Sequence, residues 1–215
     1  MLRELEARMK VRKVLLPVAA ENCYIAINEN TNESIIVDPG SASERIEKAV
    51  EESGAKPVAI VLTHGHFDHA GEAAYMAEKY GVKVYAHQAQ KEELEKASIN
   101  LSGYMTGKSM IYKADEYLGD DQEIELAGLK LQCLPTPGHT PGGCCYYFPN
   151  EGIVFTGDTL FCGSVGRTDF PGGSMSTLVN SIKAKLMTLP EDTICYPGHD
   201  APTTIGEEKI YNPYL

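Results

Sequence analysis

The sequence is poor in positive charge and has no long apolar run, and both absences restrict its partners. Nineteen lysines and arginines stand against 30 aspartates and glutamates, so the formal net charge is −11. Nucleic acid and anionic membranes are bound through basic patches, so we expect neither as a partner. No apolar run reaches the roughly 20 residues of a membrane-spanning helix. The charged start also lacks the apolar centre of a signal peptide. We therefore expect a cytoplasmic protein.

The sequence also lacks C-x-x-C pairs, although it contains six cysteines. The six are Cys23, Cys133, Cys144, Cys145, Cys162 and Cys195. Because several stand inside apolar, strand-like runs, we predict unpaired, small buried hydrophobic residues in a reducing compartment. Cys162 is the exception to follow, because it lies just beyond a candidate metal ligand.

No low-complexity linker divides the chain, which predicts a single domain over residues 1–215. Residues 1–9 are a possible N-terminal extension with a helix-like pattern. Residues 41–44 (S-A-S-E) fit a capping box at the start of a helix. Residues 98–113 leave two alternatives open, a loop over a substrate cleft or a plain surface excursion.

Two predicted strands have similar ends. Residues 35–38 (I-I-V-D) and 153–158 (I-V-F-T-G-D) are both apolar runs that finish in a turn aspartate. This similarity would suit two half-domains packed face to face.

Three histidines and an aspartate are concentrated in residues 63–69 (T-H-G-H-F-D-H). The apolar run V-A-I-V-L comes directly before them and predicts a buried strand. His64 and His66 are two positions apart, so they can project to the same side of an extended turn. Asp68 and His69 follow after a further bend. Because only six histidines occur in the chain, this concentration predicts a metal site.

Three more candidate ligands lie in tight turns or at the ends of predicted strands, namely His139, Asp158 and His199. Prolines on both sides of His139 would fix its backbone direction. Gly157 and Gly198 stand directly before the other two and would allow the chain to approach closely.

Together these residues supply five imidazoles and two carboxylates, which exceeds the need of one ion. A catalytic zinc has about four ligands and keeps one position open. Seven ligands with one bridging carboxylate would serve two divalent ions, and paired ions are a recurring hydrolytic device. Zinc is the expected metal, with iron and manganese as alternatives. The sixth histidine, His87, is left as a structural or surface residue.

The order of these motifs resembles the metallo-β-lactamase superfamily: T-H-x-H-x-D-H, P-G-H-T-P-G, G-D and P-G-H. Segments 155–161, 166–170 and 211–215 are closer still to the glyoxalase II branch, the hydroxyacylglutathione hydrolases and their small bacterial relatives. The resemblance covers nearly all of residues 9–215. It implies an α/β fold, a four-layer αβ/βα sandwich with two facing mixed sheets flanked by helices.

The resemblance also implies a ligand assignment. His64, His66 and His139 would hold the first metal, Asp68, His69 and His199 the second, and Asp158 would bridge both. Asp68 and Asp158 are the catalytic candidates, because they would lie beside a metal-bound hydroxide. The implied activity is hydrolysis of a small-molecule thioester, such as an S-2-hydroxyacylglutathione, to a 2-hydroxy acid and a free thiol.

Two other functions stay open. The persulfide dioxygenase branch shares the G-R-T-D-F segment and uses one iron held by the equivalents of His64, His139 and Asp158. A non-catalytic metal-binding module is the second alternative. True β-lactamases usually lack an aspartate at the position of Asp158, so this branch is not expected.

Two residues have open roles. Arg167 falls where the larger glyoxalase II enzymes carry a lysine for the substrate carboxylate, so it would bind substrate or pair with Asp169. Asp38 would orient a ligand histidine, or it would be a plain turn residue. The sequence ends without the helical region by which the larger enzymes bind glutathione, so another thiol carrier is an alternative. The sequence predicts no oligomeric state.

Overall fold

The computed structural model describes residues 9–215, so the helix-like pattern predicted before Met9 lies outside the described residues. The strands are β1 (Met9–Leu15), β2 (Asn22–Asn28), β3 (Glu33–Val37), β4 (Lys56–Leu62), β5 (Lys83–His87), β6 (Glu116–Leu118), β7 (Glu123–Leu126), β8 (Leu129–Pro135), β9 (Cys144–Phe148), β10 (Ile153–Gly157), β11 (Leu160–Phe161), β12 (Ser164–Val165), β13 (Ile194–Pro197) and β14 (Thr203–Thr204). The α-helices are α1 (Ser43–Ser53), α2 (Phe67–Ala70), α3 (Ala73–Tyr80), α4 (Lys91–Glu95), α5 (Ser102–Thr106), α6 (Met175–Ser181) and α7 (Ile205–Tyr211). A 3₁₀ turn at Gln88–Gln90 precedes α4, and a π-helical segment at Ile182–Leu186 continues α6.

The strands form two six-stranded mixed sheets and a small hairpin. The N-terminal sheet has the order β1-β2-β3-β4-β5-β6, with antiparallel pairs up to β3 and parallel pairs beyond it. The C-terminal sheet has the order β14-β13-β10-β9-β8-β7, in which only β10 and β13 are parallel. Strands β11 and β12 form the separate hairpin.

The inner core lies between the two sheets and follows from side-chain alternation along the strands. In β2, Tyr24 and Ala26 face the C-terminal sheet, whereas Ile25 faces the outer helices. In β9, Tyr146 and Phe148 face inward from the opposite side. Burying a side chain of this size contributes about 1.5–3 kcal/mol, so this inner layer is a principal source of stability.

Helices cover the outer face of each sheet. Helix α1 buries Ile46, Ala49 and Val50 against the N-terminal sheet. On the other side, Leu178 and Ile182 pack from α6 and its π-helical continuation onto the C-terminal sheet. This arrangement of helix, sheet, sheet and helix confirms the predicted four-layer sandwich. No helix within residues 9–215 is both long and apolar enough to span a membrane.

One local prediction is wrong. The residue that caps α1 is Ala42, in the left-handed conformation with φ 49°, and no side chain caps the helix. Ser41 therefore lies one residue too far upstream to form a capping box, and its hydroxyl has no hydrogen-bond partner. The prediction of unpaired cysteines is confirmed, since all six are free, and five of them are buried while Cys162 is exposed.

Candidate metal centre and its cleft

The predicted ligands meet at one edge of the sandwich, because the strands that carry them end there. Strand β4 leads into the turn with His64 and His66, which continues into α2. Strand β10 ends at Gly157, directly before Asp158, and the parallel strand β13 ends at Pro197, shortly before His199. The structure thus brings together all seven sequence-predicted ligands, which lie more than 130 residues apart at the extremes.

The ligand atoms form three overlapping groups, and within each group they lie within 4.8 Å of one another. The groups are His64, His66 and His139; His64, His69 and Asp158; and Asp68, His69 and His199. The first and third are the two sets that the family resemblance implies. His64 and His69 join them through the second group.

Asp158 lies between the two sets. Its Oδ1 is 3.3 Å from His69 Nε2 and 3.5 Å from His199 Nε2. Its Oδ2 is 3.5 Å from His139 Nε2. Each carboxylate oxygen therefore faces a different half of the cluster, which is the position that a bridging ligand requires.

Unpaired buried atoms test whether a cation fits this cluster. Among the described residues, His64 Nε2, His69 Nε2 and Asp158 Oδ1 are buried without a hydrogen-bond partner. Leaving such atoms unpaired costs free energy, so an occupant with positive charge would satisfy all three. Neutral imidazole and carboxylate are also the donor set of divalent zinc, iron and manganese. The residues fit divalent metal ions.

The protonation states agree with this fit. Burial lowers the pKa of His64 and of His66 well below the usual value, which keeps both imidazoles in the neutral, ligating form. Burial alone would also lower the pKa of His69, but the carboxylates of Asp158 and Asp68 outweigh it and raise that pKa well above normal. The carboxylates thus favour a positive charge at this point, which a metal ion would supply as well as a proton.

Two glycines permit the close packing. Gly157 has φ 47°, and a β-carbon there would collide with the side chain of Thr63. A β-carbon on Gly198 would lie 2.5 Å from Asp158 Oδ1 and 2.6 Å from His69 Cε1. Any larger residue would displace the candidate ligands.

Asp38 contacts a predicted ligand directly. It follows β3, and its Oδ2 lies 3.0 Å from His69 Nδ1. Its carboxylate also accepts hydrogen bonds from the Thr63 amide at 2.7 Å and the Thr63 hydroxyl at 2.6 Å. Asp38 therefore links the end of β4 to the ring of His69.

Three residues near the centre were not predicted from the sequence. Glu21 is fully buried, its Oε1 lies 3.8 Å from His69 Nδ1, and burial raises its pKa well above the usual value. Asn22 donates from Nδ2 to the carbonyls of Pro197 and Asp200, both at 3.0 Å, and so holds the turn that carries His199.

Glu93, in α4, is the third. Its Oε1 accepts a 2.7 Å hydrogen bond from the Gly65 amide, between His64 and His66. The only local signal for Glu21 and Asn22 was a turn-like A-A-E-N sequence, and nothing set Glu93 apart from other helix-surface glutamates.

Arg167 is exposed and is paired with Asp169. Its Nε and one terminal nitrogen donate to the two Asp169 oxygens at 2.7 and 2.6 Å, and its guanidinium carbon lies 4.1 Å from the ring centre of Phe170. The Arg167 backbone carbonyl lies 2.7 Å from His139 Nδ1, so the same residue also holds a candidate ligand. Of the two roles left open for Arg167, substrate binding or pairing with Asp169, the structure shows the pairing with Asp169.

A cavity of about 350 Å³ opens beside the cluster. Its lining residues are Ala19, His66, Phe67, Asp68, Leu101, Met105, His139, Asp158, Phe161, Ser164, Val165, Arg167, Phe170 and His199. Leu101 and Met105 belong to residues 98–113, so this segment borders the cleft. His87 lies outside the cluster and pairs with Asp120 at 2.9 Å, which agrees with a structural residue.

The sequence model of the Metallo-beta-lactamase superfamily matches residues 16–199. The chain belongs to this superfamily, as its motifs predicted.

Two relatives match nearly the whole chain. The probable metallo-hydrolase YqgX of Bacillus subtilis is 40% identical over 208 residues, which cover 96% of this chain and 98% of the relative. The hydroxyacylglutathione hydrolase GloC of Haemophilus influenzae is 37% identical over 206 residues, which cover 94% of this chain and 96% of the relative. The predicted likeness to hydroxyacylglutathione hydrolases is therefore confirmed.

Solved structures share the fold over a similar length. The BLEG-1 B3 metallo-beta-lactamase has a TM-score of 0.90 at 35% identity and covers 96% of this chain and 99% of its own. TTHA1623, in a di-iron-bound form, has a TM-score of 0.82 at 35% identity, with 95% and 100% covered. ETHE1 from Myxococcus xanthus has a TM-score of 0.79 at 30% identity, with 95% and 84% covered.

Proposed function

We propose that this protein is a metal-dependent hydrolase that cleaves a thioester to a carboxylic acid and a free thiol. The observation that carries the proposal is the position of Asp158, whose two oxygens face two separate histidine groups at the floor of the cleft. Two similar proteins support it: TTHA1623, whose structure was solved in a di-iron-bound form, and the hydroxyacylglutathione hydrolase GloC. An S-2-hydroxyacylglutathione is the first substrate to test.

In this proposal, the ions are held as the family resemblance implies. His64, His66 and His139 would hold the first, Asp68, His69 and His199 would hold the second, and Asp158 would contribute to both. When bound, two divalent ions would polarise the thioester carbonyl and lower the pKa of a bound water from about 15.7 towards about 7. We propose zinc as the metal, with iron and manganese as the alternatives to measure.

Acceptor groups around the ligands orient two of the histidine rings. Asp38 accepts from His69 Nδ1, so the Nε2 atom of that ring is left free for an ion. The backbone carbonyl of Arg167 likewise accepts from His139 Nδ1 and directs the Nε2 atom of that ring towards the cluster.

The leaving group needs no dedicated acid. A thiol has a pKa of roughly 8.5, so it departs readily as a thiolate. The cleft then needs only to orient the acyl carbon of the substrate. We also propose a cytoplasmic location, which the free cysteines support because unpaired cysteines persist in a reducing compartment.

The test combines metal analysis with three assays on one purified sample. We expect about two metal ions per chain and release of free thiol from S-lactoylglutathione or another lactoyl thioester. Oxygen uptake with glutathione persulfide and about one iron per chain would replace the proposal by the dioxygenase alternative. Hydrolysis of a β-lactam without thioester cleavage would assign the site to the lactamase branch, and tightly bound metal with no turnover to a binding module.

Paired variants connect the activity to the cluster. Asp158→Asn should abolish thiol release and lower the metal content, because it removes the carboxylate shared by both groups. His139→Asn should act in the same direction. His87→Asn changes an equally buried histidine outside the cluster, so it should retain both metal ions and activity.

A further inference from the structure

The cleft has a polar floor and apolar walls. The floor is the cluster of histidines and aspartates described above. The walls are built by Phe67, Leu101, Met105, Phe161, Val165 and Phe170. These six side chains come from α2, from the segment around α5, from the β11–β12 hairpin and from the loop that follows it, so the apolar character is shared by every wall.

A single cation is found among the described residues that line the cleft, and it is already neutralised. Arg167 makes a two-point ion pair with Asp169, at 2.7 and 2.6 Å, and its guanidinium lies over the ring of Phe170. A carboxylate that approached Arg167 would therefore also meet the negative charge of Asp169. The two-point pair uses the Nε and Nη2 side of the guanidinium, so an incoming carboxylate would have only the remaining Nη1 side, next to the negative charge of Asp169.

Apolar surface also remains uncovered at the mouth of the cleft. In α5, Met105 is 54% exposed and its neighbour Tyr104 is 81% exposed, although both are large. Met105 lines the cavity itself. An apolar group of a ligand would remove this surface from water, which is favourable in proportion to the area covered.

These walls are poorly suited to glutathione, whose thiol side carries two carboxylates and one ammonium group. Each charged group that leaves water needs a partner, or its desolvation is not offset. The cleft offers one neutralised arginine for two carboxylates. An uncharged apolar thiol would make no such demand and would cover the exposed part of Met105.

We propose, resting on the thioester hydrolase proposed above, that the natural substrate is an acyl thioester whose thiol half is apolar and carries no carboxylate. The acyl group lies over the polar floor, and the thiol half lies against the wall formed by Met105 and Phe170. Specificity then comes from burial of apolar surface and not from ion pairing.

The test varies only the thiol. Lactoyl thioesters of glutathione and of phenylmethanethiol share one acyl group, and the second thiol is aromatic and uncharged. We expect kcat/KM to be at least about tenfold higher for the phenylmethanethiol ester, since about 1.4 kcal/mol of added binding gives this factor. The matching thioethers cannot be hydrolysed, and their dissociation constants, measured by calorimetry, should differ in the same direction.

Three variants separate wall from charge. Met105→Ala removes an exposed apolar group and should lower kcat/KM several-fold more for the phenylmethanethiol ester than for the glutathione ester. Asp169→Asn releases Arg167 and should improve the glutathione ester selectively. Asp121→Asn is the matched control, because Asp121 is also an exposed carboxylate in a two-point ion pair, with Lys185, and is remote from the cleft lining.

The two proposals fail in different ways. Equal or higher kcat/KM for the glutathione ester, with equal or tighter binding of its thioether, would overturn the apolar thiol and leave the hydrolase intact. If no thioester is cleaved by the metal-loaded protein, the hydrolase proposal fails. Calorimetry then still tests the proposed preference for an apolar thiol half. That preference is overturned if the phenylmethanethiol thioether binds no better than the glutathione thioether.

Discussion

Asp38 Oδ2 and His69 Nδ1 lie 3.0 Å apart, and both side chains are buried at the floor of the cleft. Asp38 is simultaneously held by the amide and the hydroxyl of Thr63. The carboxylate thus has little freedom, and it fixes the tautomer and the orientation of the His69 ring. Glu21, at 3.8 Å from the same nitrogen, adds a second buried acid behind the ring.

The first prediction concerns this contact. Asp38→Asn replaces one acceptor oxygen by an amide NH2 group, which cannot accept the hydrogen bonds that His69 and Thr63 donate to the carboxylate. Losing such a partner of a ligand histidine should weaken metal binding by about 10–100-fold. The measurement is competition for zinc against a chromophoric chelator.

Asp120→Asn is the control for this substitution. Asp120 also pairs with a histidine, His87 at 2.9 Å, but outside the cluster. Unchanged zinc affinity in Asp38→Asn would show that the contact does not support a metal ligand.

The second prediction concerns removal of the metal. The buried atoms His64 Nε2, His69 Nε2 and Asp158 Oδ1 make no hydrogen bond without an ion, so metal should stabilise the folded chain selectively. At a free concentration of 100 times the dissociation constant, one site adds about 2.7 kcal/mol to the free energy of unfolding. Thermal unfolding with and without chelator should therefore differ by several degrees, and returned zinc should restore the higher midpoint. Equal midpoints in both conditions would contradict a metal site here.

The third prediction concerns Asn22, which lies in the N-terminal sheet and hydrogen-bonds the turn that carries His199 at the end of the C-terminal sheet. Asn22→Ala removes two hydrogen bonds, a buried one to the Pro197 carbonyl and a partly buried one to the Asp200 carbonyl. We expect a loss of about 1–3 kcal/mol in unfolding free energy. Because His199 belongs to the second proposed metal group, we also expect metal content to fall from two ions towards one.

Asn28→Ala is its matched control. Asn28 lies in the same strand and also donates from a buried Nδ2, to the Ala127 carbonyl at 2.8 Å, but far from the ligands. It should destabilise the chain while both metal ions are retained. If Asn22→Ala also keeps both ions, Asn22 is structural only.

The ligands were predictable because their signals are local. Four of them fall within six residues, and the other three adjoin glycine or proline turns after apolar strands, so residue type and spacing were enough. The layer order followed from the same strands and the family resemblance. The contacts that hold the ligands were not predictable in this way. Asn22 meets Pro197 at a separation of 175 residues, and an asparagine in a turn has no feature that reveals such a partner. The failed capping box has a similar origin, because the left-handed Ala42 depends on how the preceding turn packs and not on local preference.

The last prediction concerns the pH dependence that Glu93 gives to stability. Burial raises the pKa of Glu93 from 4.5 to about 7, although the Gly65 amide partly opposes this rise. Between these two values the folded chain keeps a proton that the unfolded chain releases. Unfolding therefore becomes more favourable as pH rises through this window, by about 1–3 kcal/mol.

Glu93→Gln keeps an oxygen for the Gly65 amide and removes the titration. In metal-free protein, denaturant unfolding should show the native chain losing stability relative to Glu93→Gln between about pH 5 and 7. Glu92→Gln, at the exposed neighbour, should show no such trend in this range. A constant difference between the native chain and Glu93→Gln would mean that Glu93 titrates near its ordinary value, with its carboxylate ionised against the Gly65 amide throughout.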